Sequence, residues 1–368
     1  MNFDFSDDLK QLRDQARRFL TEQCPPALVR RSLDGEEPYA AALWKEIADM
    51  GWIGAAIPEQ YGGAGLGYEG LCVLAEEIGR AVAPVPFAST AYLAAEAILL
   101  AGTEAQKRKY LPRFADGSLI GCFALAEGNG NPSPDAIRSR VTGSKLTGAK
   151  WPVADGGIAD IAIVAARDET NEIALFLIET KSIARKTLRT VDPTRDQARF
   201  DAADAPAEKL NAATGWATVQ RLLDRAAILF AFEQVGGAEA SMHMARDYAM
   251  ERFAFGRPIG SFQAIKHKLT DVYVALELAR SNAYYGAWAL SADAAELPLA
   301  AATARVSATE AFHIASKENI QTHGGVGFTW AFDCHLYYRR SKQLALRLGG
   351  APFWKNRLVD LIETRNAA

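Results

Sequence analysis

The segment from Arg252 to Gln263, which reads RFAFGRPIGSFQ, places an arginine beside a Gly-Arg-Pro turn. A guanidinium offers a fixed, planar set of donors that suits a pyrophosphate. Further along, the segment from Gln321 to Phe328 reads QTHGGVGF, and its paired glycines let backbone amides come close to an adenine or a phosphate. Each segment lies next to a long helical pattern, and together they predict a binding site for a flavin dinucleotide.

The composition allows a large folded core and excludes two classes of partner. The chain has 368 residues, 49% of them hydrophobic, which is enough for two or three structural units. Its formal net charge of −3 provides no basic surface for nucleic acid, and its five histidines show no metal-ligand spacing. We therefore expect neither a nucleic-acid partner nor a bound metal.

The sequence carries neither a secretory signal nor a membrane-spanning pattern. Its N-terminal stretch, MNFDFSDDLKQLRDQARRFL, is polar and amphipathic, and no apolar run approaches the length of a membrane span. The cysteines are scattered without CxxC spacing, which predicts buried, reduced thiols and a cytoplasmic protein. They are Cys24, Cys72, Cys122 and Cys334.

The hydrophobic pattern divides the chain into three segments, with boundaries at 1–118, 119–210 and 211–368. The first segment has apolar residues at helical spacing, and its predicted helices cover 9–20, 38–50, 67–81, 88–101 and 103–115. The second alternates and is rich in β-branched residues, with predicted strands at 119–125, 158–165 and 173–178. The third returns to helices, predicted at 213–250, 260–292, 296–322, 332–347 and 352–364. This order is α+β and argues against alternating βαβ units.

The motifs resemble those of the acyl-CoA dehydrogenase family of FAD enzymes. The resemblance rests on the two segments quoted above, in that order, and on the loop IPEQYGGAG from Ile57 to Gly65, which is similar to a Pro-Glu-x-x-Gly-Gly loop of the family. It implies an N-terminal helical domain, a middle β-barrel-like domain and a C-terminal four-helix bundle. It also implies FAD as the cofactor and a homotetramer or an α2β2 heterotetramer, because a neighbouring subunit supplies part of the FAD site.

The resemblance assigns roles to residues of the last segment. Arg252 matches the pyrophosphate-binding arginine of the family, and Phe255 occupies the expected position beside it. Gln263 sits where a family glutamine follows the Phe-Gly turn. Across a subunit boundary, the adenine-bearing half of FAD would be approached by Gln321, Gly324 and Gly325.

The β segment resembles the family's two flavin-edge strands, with changes. The stretch Phe123–Glu127, which includes Leu125, has Ala126 where the family usually has a hydroxyl residue that bonds the flavin ring. The stretch Lys150–Val153 has Val153 in place of a second common hydroxyl, and Trp151 is expected beside the isoalloxazine. Backbone amides at both places can still bond the ring, and each lost neutral hydrogen bond is worth about 0.5–1.5 kcal/mol.

The catalytic base is not at the usual position of the family. An ungapped alignment puts Leu348 where most members have a glutamate, and leucine cannot take a proton. A second solution in the family places the base on the first long C-terminal helix, directly before an arginine, and here Asp224 precedes Arg225. Asp224 is thus the candidate base, with Arg225 ordering the carboxylate. The alternative is that Asp224 is an exposed carboxylate paired with Arg221.

The resemblance implies FAD-dependent α,β-dehydrogenation of an acyl-CoA thioester, with electrons passing to an electron-transfer flavoprotein. One alternative is a non-catalytic subunit of a heteromeric acyl-CoA dehydrogenase, since some bacterial members act on ring-bearing thioesters, such as sterol side-chain intermediates, as α2β2 assemblies. Another is a flavoprotein oxidase similar to nitroalkane oxidase, because a relative of that kind uses an aspartate as its base.

Overall fold

The computed structural model describes residues 5–367, and its N-terminal part is helical as predicted. The helices there are α1 (Asp7–Gln23), α2 (Pro26–Leu33), α3 (Ala41–Asp49), α4 (Gly67–Arg80), α5 (Ala95–Ala101) and α6 (Glu104–Ala115). The short α2 was not predicted. Helix α6 begins with a capping box in which the Thr103 hydroxyl accepts from the Gln106 amide and the Gln106 side chain accepts from the Thr103 amide.

The predicted helix over residues 88–101 is a π-helical stretch, Ala88–Ala94, followed by α5. All seven residues of this stretch are buried. Thr90 binds it to the sheet, because its hydroxyl accepts a hydrogen bond from the Gly121 amide at 3.2 Å. Ser89 also donates to the buried carboxylate of Asp155. Wider π turns occur often at functional sites, and this one leads directly into the helix that carries a buried glutamate described below.

The middle of the chain forms one mixed sheet. Its strands are β1 (Gly121–Ala124), β2 (Arg140–Thr142), β3 (Lys145–Ala154), β4 (Ile161–Arg167), β5 (Ile173–Glu179), β6 (Ala184–Thr187), β7 (Gln197–Pro206) and β8 (Glu208–Lys209). The pairing order is β6-β7-β3-β2-β4-β5-β8, and β1 pairs in parallel with β4. The described strands therefore follow one open path from β6 to β8 and do not close into a barrel.

The predicted strands correspond to β1, β4 and β5, which are the most buried of the sheet. Their residues are buried almost throughout, so they read as short apolar runs. Strands β6 and β7 were not predicted because β6, with the sequence ARKT, is exposed at every position and β7 carries charged, exposed residues. Their pairing depends on backbone hydrogen bonds to neighbouring strands, which leave little trace in side-chain pattern.

The C-terminal part is helical. A two-stranded hairpin, β9 (Phe253–Ala254) and β10 (Arg257–Pro258), follows the longest helix. The helices are α7 (Trp216–Glu251), α8 (Gln263–Ser291), α9 (Leu297–His323), α10 (Cys334–Leu346) and α11 (Ala351–Ala367). In α7 every residue from 222 to 238 is buried.

By contact density the chain forms two compact units. The first comprises the described part of Met1–Ala27, Cys72–Ala83 and the described part of Ala227–Ala368. The second comprises Leu28–Leu71 and Pro84–Ala226, which include the whole sheet β1–β8. The three-segment division of the sequence follows the type of secondary structure and remains a prediction. Each unit is described separately below.

Candidate active site

Asp224 and Arg225 lie on α7 within the second unit, and both are buried. Their exposed fractions are 3% and 6%. The structure therefore contradicts the alternative that Asp224 is a solvent-exposed carboxylate, while its role as a base stays a prediction. A carboxylate and a guanidinium at this depth need polar partners, since an uncompensated buried charge is strongly unfavourable.

Arg225 is held by two side chains that the sequence analysis did not identify. Its Nε donates to Oε1 of Glu96 at 2.5 Å, and the Tyr68 hydroxyl donates to Oε2 of the same carboxylate at 2.8 Å. The guanidinium carbon also lies 4.6 Å from the centre of the Tyr68 ring. The three side chains form a closed triangle in which both carboxylate oxygens of Glu96 are engaged, so the orientation of Arg225 is fixed.

The electrostatics of this triangle keep Arg225 and Tyr68 in the protonated forms that donate hydrogen bonds. Burial opposes the charge on Arg225, but the Glu96 carboxylate overcomes it and raises the pKa of the guanidinium above its ordinary value. Burial and the same carboxylate raise the pKa of the Tyr68 hydroxyl, which therefore remains a proton donor. No sequence signal joins these residues, because Tyr68 and Glu96 lie in the first turns of α4 and α5, and Arg225 lies in the N-terminal third of α7.

The predicted flavin-edge residues of the sheet also belong to the second unit. The side chains of Phe123, Leu125 and Val153 are buried, whereas Ala126 and Trp151 are half-buried. The structure brings the last two together, because the Trp151 amide donates to the Ala126 carbonyl at 2.8 Å. Of the five predicted residues, Ala126 and Trp151 therefore offer accessible surface, and the side chain of Val153 packs inside the unit.

A buried ion pair joins the sequence neighbours of Ala126 and Trp151. Lys150 and Glu127 were quoted above only as members of the two strand stretches, but their side chains meet with Nζ 2.6 Å from Oε1. Burial is the larger influence on the lysine and lowers its pKa to about 8, against the attraction of Glu127. The sequence signal that could have indicated this pair is the position of Lys150 within a strand, directly beside the predicted cofactor residue Trp151.

In the first unit, the hairpin after α7 presents its residues to solvent. Arg252 and Gln263 are exposed, and the Phe255 side chain is 96% exposed. Phe255 and Gly256 form the turn with φ angles of 52° and 76°, a left-handed conformation that pushes the phenyl ring outward. Phe253 of the same hairpin is also exposed, so the hairpin presents two large apolar rings to solvent.

The turn after α9 is open on its outer side. Gly324 has a φ of 63°, and a Cβ added at Gly324 or Gly325 would have no other atom within 4 Å. Gln321, on the last turn of α9, is exposed. The backbone of this turn is thus accessible to a ligand or a second chain.

The first unit brings the two motif segments to the same end of its helices. The ring of Tyr248, near the end of α7, stacks on His323 at the end of α9 with centroids 4.1 Å apart. The Arg252 amide donates to the Tyr248 carbonyl at 2.8 Å, so the hairpin with Arg252 starts directly beyond this contact. Arg252 and the Gly324 turn therefore lie at neighbouring helix ends.

Leu348, at the position of the usual family glutamate, lies in a loop whose start is held by hydrogen bonds. Leu348 has a φ of 60° and is half-buried, and it follows the end of α10. The fully buried Arg305 donates to the carbonyls of Leu344 and Arg347, the latter at 2.9 Å. This guanidinium holds the end of α10 and the start of the loop, which presents an apolar side chain at the position predicted to lack a base.

Comparison with known proteins identifies the family of this chain. The family model described as "Acyl-CoA dehydrogenase, N-terminal domain" matches residues 6–118, and "Acyl-CoA dehydrogenase, C-terminal domain" matches residues 213–350. The chain is 35% identical over 340 residues to acyl-CoA dehydrogenase IpdE2 of Mycobacterium tuberculosis, covering 91% of each protein. The chain belongs to the acyl-CoA dehydrogenase family. FAD is the cofactor of acyl-CoA dehydrogenases, and the chain is an enzyme of this family.

Solved structures of acyl-CoA dehydrogenases have the same fold. A variant of the Tcur3481-Tcur3483 steroid ACAD is 32% identical, with a TM-score of 0.89 and coverage of 98% of this chain and 99% of that chain. The ChsE4-ChsE5 complex from Mycobacterium tuberculosis is 26% identical, with a TM-score of 0.90 and coverage of 99% of each chain. The similarity thus extends over all the elements described above.

Within residues 5–367, no helix is long and apolar enough to span a membrane. In the same range, no group of three or more His, Cys, Asp or Glu side chains is arranged to hold a metal ion.

Proposed function

We propose that this acyl-CoA dehydrogenase removes two hydrogens from the α and β carbons of an acyl-CoA thioester, with Asp224 as the base. The observation that carries the proposal is the burial of Asp224 directly beside Arg225, whose orientation is fixed by Glu96 and Tyr68. Active-site carboxylates are commonly sheltered from water and set among oriented polar groups. We further propose an electron-transfer flavoprotein as the electron acceptor.

The reaction needs a proton acceptor and a hydride acceptor. The thioester carbonyl acidifies the α-proton, and the Asp224 carboxylate accepts it within hydrogen-bond reach. A bound FAD would supply the acceptor for the hydride of the β carbon. Arg225 is a positioning residue for the carboxylate, because its own orientation is set by two hydrogen-bonded neighbours.

The residues present fit FAD. Arg252 is exposed for a pyrophosphate, Phe255 and Gln263 are exposed beside it, and the unobstructed turn at Gly324 and Gly325 leaves room for an adenosine. We propose that the turn, with Gln321, serves the FAD of a neighbouring subunit. The flavin ring would be held by the strand residues Phe123, Leu125, Ala126, Trp151 and Val153, with backbone atoms replacing the missing hydroxyls.

We propose assembly with a related chain as an α2β2 heterotetramer, with a homotetramer as the other arrangement. Leu348 in place of the usual glutamate supports the heteromer, because a partner that carries the glutamate would supply a complete second site. The names of two similar structures, Tcur3481-Tcur3483 and ChsE4-ChsE5, each join two chains. The first of these is a steroid ACAD, which favours a ring-bearing thioester as the substrate class.

The second candidate function is a non-catalytic subunit that completes the FAD site of its partner. Leu348 and Ala126 favour it, since both replace residues that the family uses at the active site. We also propose a cytoplasmic location, because the described cysteines Cys24, Cys72, Cys122 and Cys334 are all buried and none of them forms a disulfide.

The visible flavin spectrum tests the proposal. The chain is purified alone and co-expressed with a related chain, and octanoyl-CoA and a steroid-acid CoA thioester are added without oxygen. A yellow protein bleached by a thioester supports dehydrogenation. Bleaching that requires the glutamate of the partner chain, and that does not change when Asp224 is substituted, supports the non-catalytic subunit. Flavin that no thioester reduces but that turns over with a nitroalkane and oxygen supports an oxidase.

The variant Asp224→Asn separates the first two outcomes. It should abolish thioester bleaching, since a general base contributes about 10²–10⁴-fold, and leave the flavin content unchanged. The matched control is Asp247→Asn, an aspartate on the same helix with a side chain 57% exposed. Full bleaching by Asp224→Asn would exclude Asp224 as the base.

A further inference from the structure

Two backbone stretches of the second unit carry the residues proposed to hold the flavin ring, and little regular structure joins them. Strand β1 ends at Ala124, and the backbone beyond it pairs with β3 through an isolated parallel bridge between Glu127 and Trp151. The bridge consists of the Trp151 amide on the Ala126 carbonyl at 2.8 Å and the Gly128 amide on the Trp151 carbonyl at 3.0 Å. Two hydrogen bonds outside a ladder constrain register weakly.

The buried pair of Lys150 and Glu127 lies across this bridge. Lys150 Nζ donates to Oε1 of Glu127 at 2.6 Å and to the Leu125 carbonyl at 3.2 Å. The Lys150 ammonium on β3 thus bonds to the stretch around Ala126 at two residues, the one before Ala126 and the one after it. The side chains are only 3% and 9% exposed, so these contacts are not screened by water.

Glu127 is held in turn by two backbone amides directly before strand β2. Its Oε2 accepts from the Arg138 amide at 2.8 Å and its Oε1 accepts from the Ser139 amide at 3.0 Å. Burial opposes the charge, but Lys150 and these two amides hold the pKa of the Glu127 carboxyl below its usual value. The carboxylate therefore has a fixed position. Because Lys150 binds to it, the two backbone stretches are held at one spacing.

We propose that Lys150 and Glu127 are positioning residues for FAD, which fix the register and separation of the stretches 125–128 and 151–153. The proposal deepens the proposed function and rests on the FAD site assigned there. Buried ion pairs contribute little net stability compared with apolar residues of similar volume, but they can specify one arrangement among several. Such specification is needed here, because Ala126 and Val153 have no hydroxyl and any bond to the flavin ring must come from correctly placed backbone atoms.

The test separates positioning from stability by comparing single and paired substitutions. The single variants Lys150→Met and Glu127→Gln each leave one buried partner uncompensated, so both stability and FAD affinity should fall. The paired variant, with both substitutions, removes the charges together and should recover the urea midpoint of the FAD-free protein. If the pair sets register, the paired variant should still bind FAD about tenfold more weakly than the wild type.

Two further variants complete the design. Lys150→Arg keeps the charge but moves its donors, so it should remain folded and bind FAD with an affinity between those of the wild type and the paired variant. Lys209→Met breaks the pair with Asp168 elsewhere in the sheet, where Nζ and Oδ2 are 2.7 Å apart, and should leave FAD affinity unchanged. FAD affinity is measured by quenching of flavin fluorescence, with the flavin absorption bands as a second readout.

The outcomes are distinct. FAD affinity that recovers together with stability in the paired variant, or Lys150→Arg that matches the wild type, would show a purely structural pair and overturn the proposal. Equal FAD affinity in all variants, including no binding by any, would also overturn it. A wild type that binds FAD but is not reduced by thioesters refutes the proposed function alone and leaves this comparison intact.

Discussion

The Nε atom of Arg225 lies 2.5 Å from Oε1 of Glu96, a residue 129 positions earlier in the chain, and this pair is buried at both ends. The arginine next to the candidate base is therefore not free to turn toward different partners. Its direction is decided by a carboxylate on another helix, which is itself bonded by Tyr68.

Glu96→Gln should weaken both folding and turnover. Loss of one charge from a buried pair costs about 3–5 kcal/mol, so the free energy of unfolding should fall by roughly 3 kcal/mol. Misplacement of Arg225 beside Asp224 should lower kcat by about 10²-fold, with KM for the thioester nearly unchanged. Urea unfolding and steady-state kinetics measure the two effects, and an unchanged kcat in folded protein would separate the pair from the chemistry.

Tyr68→Phe should have a smaller effect on stability, and a substitution at a second tyrosine serves as its control. It removes one hydrogen bond to Glu96 and should cost about 1 kcal/mol, while the ring remains under the guanidinium. The comparison is Tyr61→Phe, which removes a similar bond to a different carboxylate, that of Glu104, at 2.7 Å. Only Tyr68→Phe should lower kcat. Equal kinetic effects of the two substitutions would contradict a role for the Tyr68 hydroxyl in holding Arg225.

Gly325→Leu should impair FAD binding without unfolding the protein. An added Cβ meets no atom within 4 Å, and this glycine does not have a left-handed φ, so the free energy of unfolding should change by less than about 0.5 kcal/mol. If the turn faces FAD of a neighbouring subunit, the side chain should lower FAD content or the mass of the assembly. Fluorescence and light scattering test this, and normal values for both would remove the turn from the site.

Gly236→Ala should strongly destabilise the first unit. A Cβ at Gly236 would lie 1.8 Å from the Glu76 carbonyl, and a Cβ at Gly79 would lie 1.9 Å from the Glu233 carbonyl, so helices α4 and α7 meet backbone to backbone. Overpacking costs about 1–3 kcal/mol or more, which exceeds the gain of about 1 kcal/mol in helix propensity. Urea unfolding should show a lower midpoint, whereas Ser281→Ala, on the exposed part of α8, should show little change.

The stability of the wild type should rise with pH in a window set by Lys150. Burial lowers the folded-state pKa of this lysine from 10.5 to about 8, so between these values the unfolded chain binds more protons than the folded protein. The free energy of unfolding should therefore increase from pH 8 to pH 10, by roughly 1–2 kcal/mol from this group. Lys150→Met should lack this increment in urea titrations at the two pH values, and an equal slope in both proteins would contradict the assignment.

Much of the helical architecture was readable from the sequence. The predicted helices over 67–81 and 213–250 correspond to α4 (Gly67–Arg80) and α7 (Trp216–Glu251), because helical periodicity is a local property of consecutive residues. The apolar strands β1, β4 and β5 were found for the same reason. The exposed strands β6 and β7, and the π-helical turn at Ala88–Ala94, were missed because hydrogen bonds to distant segments determine them.

The sequence by itself determined the family, the order of helical and β segments, the dinucleotide motifs around Arg252 and Gly324, and the absence of a carboxylate at Leu348. Only the tertiary structure decided that Asp224 is buried, that Glu96 and Tyr68 hold Arg225, and that Lys150 meets Glu127. The physical reason is the range of each interaction. Periodicity and turn chemistry act over a few residues, whereas the partner of a buried charge depends on which distant elements pack around it.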